Sequence, residues 1–381
     1  MASPSSFALL TVLVVVASLV MAGEVVTAAR LAAGQQVAIN VTAADGGGRE
    51  MVPAMFVFGD SLIDNGNNNG LASFAKANYY PYGIDFNGGP TGRFSNGYTM
   101  VDEIAELLGL PLIPAYSEAS EQQMLHGVNY ASAAAGILDI TGRNFVGRIP
   151  FNEQIRNFQN TLDQITGDIG ADSMANAIAR CLFFIGMGSN DYLNNYLMPN
   201  YDTRNQYNGQ QFADLLVQQY TRQLTTLYNL GARKLVIAGI GLMGCIPSIL
   251  AQSPQGSCSD EVNHLIQPFN ANVKTMINNL NSNLPGARII YIDVAHMFQD
   301  LLVNARSYGF SVVDRGCCGI GRNRGQITCL PFQTPCPNRE QYVFWDAFHP
   351  TEAVNVLMGR KAFSGDASNV YPINIEQLAS L

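Results

Sequence analysis

The strongest structural signal in the chain is the stretch Met55-Phe56-Val57-Phe58-Gly59-Asp60-Ser61-Leu62. Its first half is a short, uninterrupted apolar run, as expected of a parallel strand that is buried on both faces. The run breaks at Gly59, so Ser61 is predicted to lie at the mouth of that strand. Ligands of open parallel sheets bind beyond the carboxyl ends of the strands, which makes Ser61 a candidate nucleophile. Taken alone, a serine in this position more often caps a helix or bonds within a turn.

Other apolar runs with turn residues around them repeat this pattern. They predict buried strands at residues 55–58, 182–185, 234–240, 288–294 and, less regularly, near 127–131. Amphipathic stretches predict helices at residues 209–229 and 258–283, the second capped by Ser257 or Ser259. Parallel strands need crossover connections that helices usually supply. The alternation therefore predicts an α/β fold with a parallel sheet covered on both faces.

The N-terminal part of the chain is expected to stand apart from that fold. Residues 7–21 form an apolar run suited to a secretory signal but short for a membrane span. We predict a signal peptide over residues 1–29, cleaved between 22 and 29, and a flexible lead-in over 30–52; a retained membrane anchor is the alternative. Asn40-Val41-Thr42 is a glycosylation acceptor if the chain enters the secretory route. No linker or repeat divides residues 53–381, which are predicted to form one domain of a secreted protein.

Composition excludes several classes of protein. With 48% hydrophobic and 13% charged residues, the chain is too apolar and too weakly charged to be disordered. Its 21 Lys and Arg residues are outnumbered by 29 Asp and Glu, a formal charge of -8, and no basic run could follow a phosphate backbone. We therefore expect no nucleic-acid partner and no stable membrane span. Nothing in the sequence implies a cofactor or a metal.

The 7 cysteines fall into three groups. Four of them crowd into a loop rich in Gly, Arg and Pro, where disulfides are predicted: Cys317, Cys318, Cys329 and Cys336. A zinc site is the alternative, but Cys317 and Cys318 lack a spacer and no histidine lies between them and Cys336. Cys245 and Cys258 bracket another loop and are a candidate pair, whereas Cys181 is expected to be a buried thiol. The connectivity does not follow from the sequence.

Two other segments carry polar residues suited to acyl-transfer chemistry. Asn190 follows the predicted strand at 182–185, where its amide could donate to an oxyanion, although a turn or helix cap is the commoner explanation. Trp345-Asp346-Ala347-Phe348-His349-Pro350 places a carboxylate and an imidazole in one loop. A carboxylate that accepts from one imidazole nitrogen leaves the other free to take a serine proton. The remaining histidines lack such a neighbour and are expected to be structural: His126, His264 and His296.

The chain order of Ser61, Asp346 and His349 suits a serine hydrolase, but the Gly-x-Ser-x-Gly elbow of α/β-hydrolases is absent. Instead, Gly59-Asp60-Ser61-Leu62 resembles the GDSL signature of plant-type GDSL esterase/lipases, a branch of the SGNH hydrolases. The resemblance covers essentially everything from Pro53 to the C-terminal region. Four more segments resemble blocks of that family, in the family's order: Pro90-Thr91-Gly92-Arg93-Phe94-Ser95-Asn96-Gly97, Gly127-Val128-Asn129-Tyr130-Ala131-Ser132, Gly188-Ser189-Asn190-Asp191-Tyr192 and Tyr342-Val343-Phe344-Trp345-Asp346 through Pro350.

This resemblance implies a three-layer α/β/α, flavodoxin-like SGNH fold with a central parallel sheet. It implies Ser61 as nucleophile, His349 as base and Asp346 as the carboxylate that orients the base. The expected activity is that of a secreted serine esterase or lipase. Its substrate would be a small-molecule or lipid ester, hydrolysed through an acyl-enzyme on Ser61.

The resemblance also implies an oxyanion hole. Its donors would be the Ser61 backbone amide, a backbone amide near Gly136 and the Asn190 side chain. This chain has Ala133-Ala134 where many family members have Gly-Gly. The second backbone donor is therefore either Gly136 or the peptide at Ala134.

Other functions compete with this interpretation. An acyltransferase with the same triad and an alcohol acceptor is indistinguishable by sequence, and a non-catalytic binding protein on a hydrolase scaffold is a further alternative. Residues 239–244 match the dinucleotide fingerprint, but Pro247 lies where the phosphate-binding helix should continue. Asp60 and Asp191 are a candidate glycosidase pair, although a role for Asp60 in shaping its turn is the simpler explanation. Four loop tyrosines are candidates for lining a substrate pocket: Tyr192, Tyr196, Tyr201 and Tyr207.

Overall fold

The computed structural model of the protein describes residues 50–169 and 171–381. The predicted signal peptide, almost all of the predicted lead-in and the Asn40 acceptor lie outside the described residues. Strands β1 to β7 are Met55–Gly59, Leu182–Gly186, Lys234–Ala238, Arg288–Ile292, Val312–Gly316, Tyr342–Phe344 and Val370–Tyr371. Helices α1 to α12 are Met100–Leu107, Glu121–Met124, Phe151–Ile169, Ala171–Arg180, Ser189–Asp191, Thr203–Gln206, Gly209–Asn229, Pro247–Leu250, Asp260–Asn283, Val294–Val303, Glu352–Ser364 and Ile375–Ala379.

A five-stranded sheet in the order β1-β2-β3-β4-β7 forms the centre of the fold. Strands β1 to β4 are parallel to their neighbours, and β7 pairs antiparallel with β4. The four strands predicted from the clearest apolar runs are confirmed, although β3 and β4 end earlier than expected, at Ala238 and Ile292. Strand β4 ends early because Asp293 caps α10, its side chain accepting from the His296 N–H.

The segment near 127–131, predicted as a less regular strand, lies parallel to β1 but does not form a regular strand. The Val57 N–H donates to the Val128 carbonyl at 3.0 Å, the Tyr130 N–H donates to the Val57 carbonyl at 2.8 Å, and single bridges pair Asn129 with Val57 and with Ala115. The Asn67 side chain donates to the Asn129 and Ala131 carbonyls at 2.8 and 2.7 Å, which ties the segment to the turn as well as to β1. The segment thereby holds the turn that follows Ser61.

A helix layer covers each face of the sheet. Side chains alternate between the two faces of a strand, and here both sets are apolar and need cover. Phe56 and Phe58 point into one core, with helices α3, α7 and α9, whereas Met55 and Val57 point into the other, with α1, α10 and α11. The predicted three-layer α/β/α fold is confirmed. Helix α7 has the predicted bounds, and α9 begins after Ser259, whose side chain accepts from the Val262 N–H.

Six cysteines pair in the structure. The disulfides join Cys245 to Cys258, Cys317 to Cys336 and Cys318 to Cys329. The zinc alternative for the crowded loop is therefore wrong, since its four cysteines bond to one another. Cys181 is a buried free thiol, as expected. None of the helices in the described ranges is both long enough and apolar enough to span a membrane.

Candidate active site

Ser61 lies in a tightly held turn just beyond β1. The buried Gln154 side chain accepts from the Gly59 N–H at 3.0 Å and donates to the Gly59 carbonyl at 2.9 Å. Asp60 Oδ1 accepts from the Leu62 N–H at 3.0 Å, so a hydrogen bond joins the residues before and after Ser61. The structure thus places Ser61 at the mouth of a buried strand, and Asp60 shapes the turn.

The three residues predicted to form a triad lie together. Ser61 Oγ is 2.8 Å from His349 Nε2, and His349 Nδ1 is 2.9 Å from both carboxylate oxygens of Asp346. An ionised Asp346 can only accept, so Nδ1 carries the shared proton and Nε2 is left to accept from the Ser61 hydroxyl. This arrangement is suited to general-base activation of a serine.

Asp346 is fully buried, and its surroundings keep it ionised. Burial alone would raise the pKa of this carboxyl, but the charge of His349 and hydrogen bonds from His349 and Tyr82 hold the pKa below its usual value. The backbone N–H groups of Phe348 and His349 both donate to Oδ1 at 2.8 Å. Donors therefore fix the orientation of the carboxylate as well as its charge.

Tyr82 is a site residue that sequence reasoning missed. Its hydroxyl donates to Asp346 Oδ2 at 2.6 Å, although the two residues are 264 positions apart. Burial and the charge of Asp346 raise the pKa of Tyr82 well above its ordinary value, so the hydroxyl keeps its proton. The ring packs edge-on against Phe94 and Trp345. Tyr82 comes from an irregular segment, and no pattern in the sequence connects it to the triad.

The segment around Arg93 supports the imidazole from another side. The Phe94 and His349 ring centroids are 5.0 Å apart. Arg93, which precedes Phe94, makes two hydrogen bonds of 2.8 and 2.7 Å to Asp102 on α1, and both residues are buried. Paired charges with this bidentate geometry hold the Phe94 loop against α1.

The disulfide-linked loop lies against the segment that leads to Asp346. The Cys317 N–H donates to the Phe344 carbonyl at 2.9 Å, and the Cys318 N–H donates to the Trp345 carbonyl at 2.7 Å. Both cysteines are disulfide-bonded to more distant parts of the same loop. The crosslinks therefore support the backbone that carries two of the three triad residues.

Asn190 lies in α5 and lines the same pocket as Ser61. Its Nδ2 donates to the Ala135 carbonyl at 2.9 Å, and its Oδ1 accepts from the Asn194 amide at 2.6 Å. Among the described residues these bonds use only one of the two Nδ2 hydrogens. The side chain is thus held in place with one donor left for a ligand.

Two backbone positions compete as the second oxyanion donor. Ala134 adopts a left-handed conformation with φ +65° and lines the pocket that contains Ser61. Gly136 is not among the described residues that line it, and a Cβ at that position would lie 2.7 Å from both carboxylate oxygens of Asp191. Within the described ranges, neither of these two N–H groups nor that of Ser61 has a protein acceptor. The lining therefore favours Ala134 over Gly136.

Three buried carboxyl groups surround the turn. Burial raises the pKa of Asp60, Asp64 and Asp191 to about 6 in each case. Asp191 accepts from the Ile137 and Leu138 N–H groups and from the Thr141 hydroxyl, so its oxygens hold a loop. Its structural role leaves no support for the glycosidase pair.

The pocket at Ser61 has a volume of about 250 Å³. The expectation that the loop tyrosines line it is wrong, because the neighbouring Leu193 and Asn194 do so instead. Tyr192 and Tyr196 are one helical turn apart and pack together against Phe212 in the core, which turns residues between them toward the pocket. The histidines predicted to be structural are also absent from its described lining: His126, His264 and His296.

Comparison with known proteins agrees with this geometry. The family model described as GDSL-like Lipase/Acylhydrolase matches residues 55–362. The chain is 72% identical to GDSL esterase/lipase At1g71691 of Arabidopsis thaliana over 88% of its own length and 87% of the relative's. It is 54% identical to GDSL esterase/lipase At1g29670 of the same plant, over 87% of its length and 92% of the relative's.

A carbohydrate esterase of known structure matches 68% of this chain and 69% of its own at 13% identity, but the TM-score of 0.33 is too low to bear on the fold. The family match and the identities are sufficient without it. The family match extends from β1 into α11 and includes every residue that lines the described pocket. The chain belongs to the GDSL-like lipase/acylhydrolase family of carboxylic ester hydrolases.

Proposed function

We propose that the chain hydrolyses carboxylic esters of acyl lipids or related compounds through an acyl-enzyme on Ser61. The observation that carries this proposal is the series of hydrogen bonds from Ser61 Oγ through His349 to the buried Asp346. His349 takes the hydroxyl proton as Oγ attacks the ester carbonyl, then gives it to the departing alcohol. Water attacks the acyl-enzyme by the same route, which releases the acid and restores Ser61.

Negative charge on the carbonyl oxygen needs hydrogen-bond donors that are already in place. In the proposed oxyanion hole, the Ser61 N–H and the Asn190 amide act together with one backbone N–H from the turn at 134–136. The family resemblance implies Gly136 as this donor, whereas the lining of the pocket supports Ala134.

The decisive variant is Ser61→Ala. With p-nitrophenyl acetate and octanoate as substrates, we expect kcat/KM to fall about 10⁴-fold or more, because the nucleophile is lost. Ser282→Ala, on the exposed face of α9, is the matched control and should retain wild-type activity. A fluorophosphonate should label the wild type at Ser61 only. Equal hydrolysis by wild type and Ser61→Ala would remove Ser61 as nucleophile.

The same assay separates the alternatives. An acyltransferase would be labelled by the fluorophosphonate but would transfer the acyl group to an added alcohol faster than to water. A binding protein on this scaffold would be neither labelled nor active. Secretion is proposed from the predicted signal peptide, and the three disulfides support it because such crosslinks persist in oxidising compartments.

A further inference from the structure

The pocket at Ser61 continues away from the triad, between the sheet and one helix layer. Its walls there come from strands β2 and β3 and from helices α10 and α11. We call this part of the pocket the apolar slot, lined by Phe184, Gly186, Ala238, Phe298, Val354 and Met358. None of these side chains carries a polar group that could bind a charged or hydroxylated ligand.

The floor of the slot is a row of small residues that the strand register creates. Gly59, Gly186 and Ala238 are the last residues of β1, β2 and β3, and they are paired directly across the sheet. Phe184 and Val236, two positions earlier in β2 and β3, face the core that contains Met55 and helices α1, α10 and α11. Side chains two residues apart on a strand point to the same face, so Gly186 and Ala238 face this core as well. Strands β1 to β3 thus carry no large side chain on this face at the level where Ser61 follows β1, and the row ends at Ile292 of β4.

The opposite wall is a helix face. Val354 and Met358 are four residues apart on α11 and therefore lie on the same side of that helix. Helix α11 begins directly after the loop that carries His349. The wall of the slot and the proposed base are thereby positioned by one continuous segment.

The described residues around Gly186 leave room for a Cβ. Its backbone is outside the left-handed region, so a side chain could be attached without strain. A Cβ there would lie 3.6 Å from Ile63 Cδ1 and from Phe184 Cε1, and 3.9 Å from Ala238 Cβ, which are ordinary contacts. Protein interiors are usually filled to crystal-like density, so a space kept open by a dispensable glycine beside a nucleophile indicates a ligand.

We propose that the apolar slot binds an unbranched hydrocarbon chain of the ester and that Gly186 sets how long a chain is accepted. The proposal rests on ester hydrolysis at Ser61. Each methylene removed from water favours binding by about fourfold, so a filled slot would produce a steep dependence on chain length.

The test compares wild type with Gly186→Val on two substrate series. One series is p-nitrophenyl esters from acetate to dodecanoate, and the other is acetates of alcohols from methanol to decanol. In the variant we expect the octanoate-to-acetate ratio of kcat/KM to fall at least about tenfold, because the new side chain occupies room for several methylenes. A selective loss in the acyl series places the acyl chain in the slot, and one in the alcohol series places the alkyl chain there. Equal losses at all lengths in both series overturn the proposal.

Two further variants guard against a general defect. Met358→Ala enlarges the slot and should move the preferred chain length upward. Gly70→Val is the matched control: a Cβ at Gly70 has no neighbour within 4 Å and the residue is outside the slot, so its chain-length profile should equal the wild type's. A Met358→Ala profile that does not move would count against the assignment of this wall.

A binding measurement separates this inference from the proposed catalysis. Ser61→Ala is titrated with dodecanoate by calorimetry, alone and combined with Gly186→Val. We expect the added valine to weaken dodecanoate binding at least about tenfold, and unchanged binding overturns the slot whatever the kinetics show. Hydrolysis that survives Ser61→Ala contradicts the proposed nucleophile only and leaves this measurement standing.

Discussion

Asp346, in the loop before α11, and Asp60, in the turn after β1, are both fully buried carboxyl groups near His349, yet their pKa values move in opposite directions. Burial raises the pKa of Asp60 to about 6, offset only in part by the Leu62 N–H and the charge of His349. Asp346 is equally buried, but the charge of His349 and hydrogen bonds donated by His349 and Tyr82 lower its pKa. At Asp346 the direct contacts with His349 and Tyr82, which Asp60 lacks, outweigh the effect of burial on the pKa.

This difference assigns the two acids distinct tasks around one imidazole. Asp346 contacts Nδ1 directly and fixes which nitrogen carries the proton. Asp60 acts on His349 through its charge alone and otherwise holds the Leu62 N–H. Variants in the two regions should therefore differ in how much activity they lose and in the direction in which they shift the pH profile.

The largest effect is expected from Asp346→Asn. An asparagine keeps an oxygen for the Phe348 and His349 N–H groups but cannot present two acceptors to Nδ1 and the Tyr82 hydroxyl. The imidazole then loses the tautomer that lets Nε2 accept from Ser61, and we expect kcat/KM for p-nitrophenyl butyrate to fall about 10³- to 10⁴-fold. Circular dichroism of the variant checks that the fold is intact. A loss smaller than tenfold would mean that Asp346 does not orient the base.

Local sequence made these residues candidates, and the family resemblance assigned them to the proposed triad. Asp346 and His349 are three positions apart in one loop, and Ser61 directly follows a buried strand, so each signal is contained in a few residues. Tyr82 and Gln154 escaped prediction because their partners, Asp346 and Gly59, are brought to them only by folding. The opposite pKa shifts of Asp60 and Asp346 were equally hidden, since they depend on burial and on distant donors.

The strands likewise divide into those with a clear local sequence pattern and those without one. Strands β1 to β4 are continuous apolar runs and were predicted, because burial on both faces leaves a plain signal. Strand β5 contains Asp314 and Arg315 and is only partly buried, and β7 has two residues, so neither has a pattern to recognise. The segment near 127–131 lies along β1 as its apolar residues predict, but side-chain donors from a turn also bind its carbonyls and it forms no regular strand.

Tyr82→Phe should have the next largest effect. Removing the hydroxyl takes a donor from Asp346, whose carboxylate then binds the His349 proton more strongly. We expect kcat/KM to fall about tenfold and the acidic limb of its pH profile to move to higher pH, because protonated His349 is stabilised against the form that accepts from Ser61. Steady-state kinetics from pH 5 to pH 9 measure both changes.

The control for this variant is Tyr130→Phe. Tyr130 is also a buried tyrosine, but its hydroxyl donates to Thr161 Oγ1 in the core and is remote from the triad. Tyr130→Phe should lose about as much stability as Tyr82→Phe, but the acidic limb of its kcat/KM profile should not move. If Tyr82→Phe lowers activity with an unmoved limb, Tyr82 acts through packing on Phe94 and Trp345 and not through Asp346.

The smallest effect on activity, and the opposite pH shift, is expected from Asp60→Asn. The amide oxygen can still accept from the Leu62 N–H, so the turn that holds Ser61 should survive. Loss of the carboxylate charge makes protonated His349 less stable, and the acidic limb of kcat/KM should move to lower pH with less than about a threefold change at the plateau. A limb that moves upward would contradict the electrostatic role assigned to Asp60.

Stability should change more than activity in this variant. Because the pKa of Asp60 is raised from 3.8 to about 6 in the folded protein, the native state binds its proton more tightly than the unfolded chain. The stability from this group is fully present below about pH 4 and is lost as the pH rises through 6, a difference of about 2–3 kcal/mol. Urea unfolding from pH 4 to pH 8 should therefore show a shallower decline for Asp60→Asn than for the wild type. The exposed Asp163→Asn changes the net charge equally and should keep the wild-type slope. If the slope is also unchanged in Asp60→Asn, folding does not raise the pKa of Asp60.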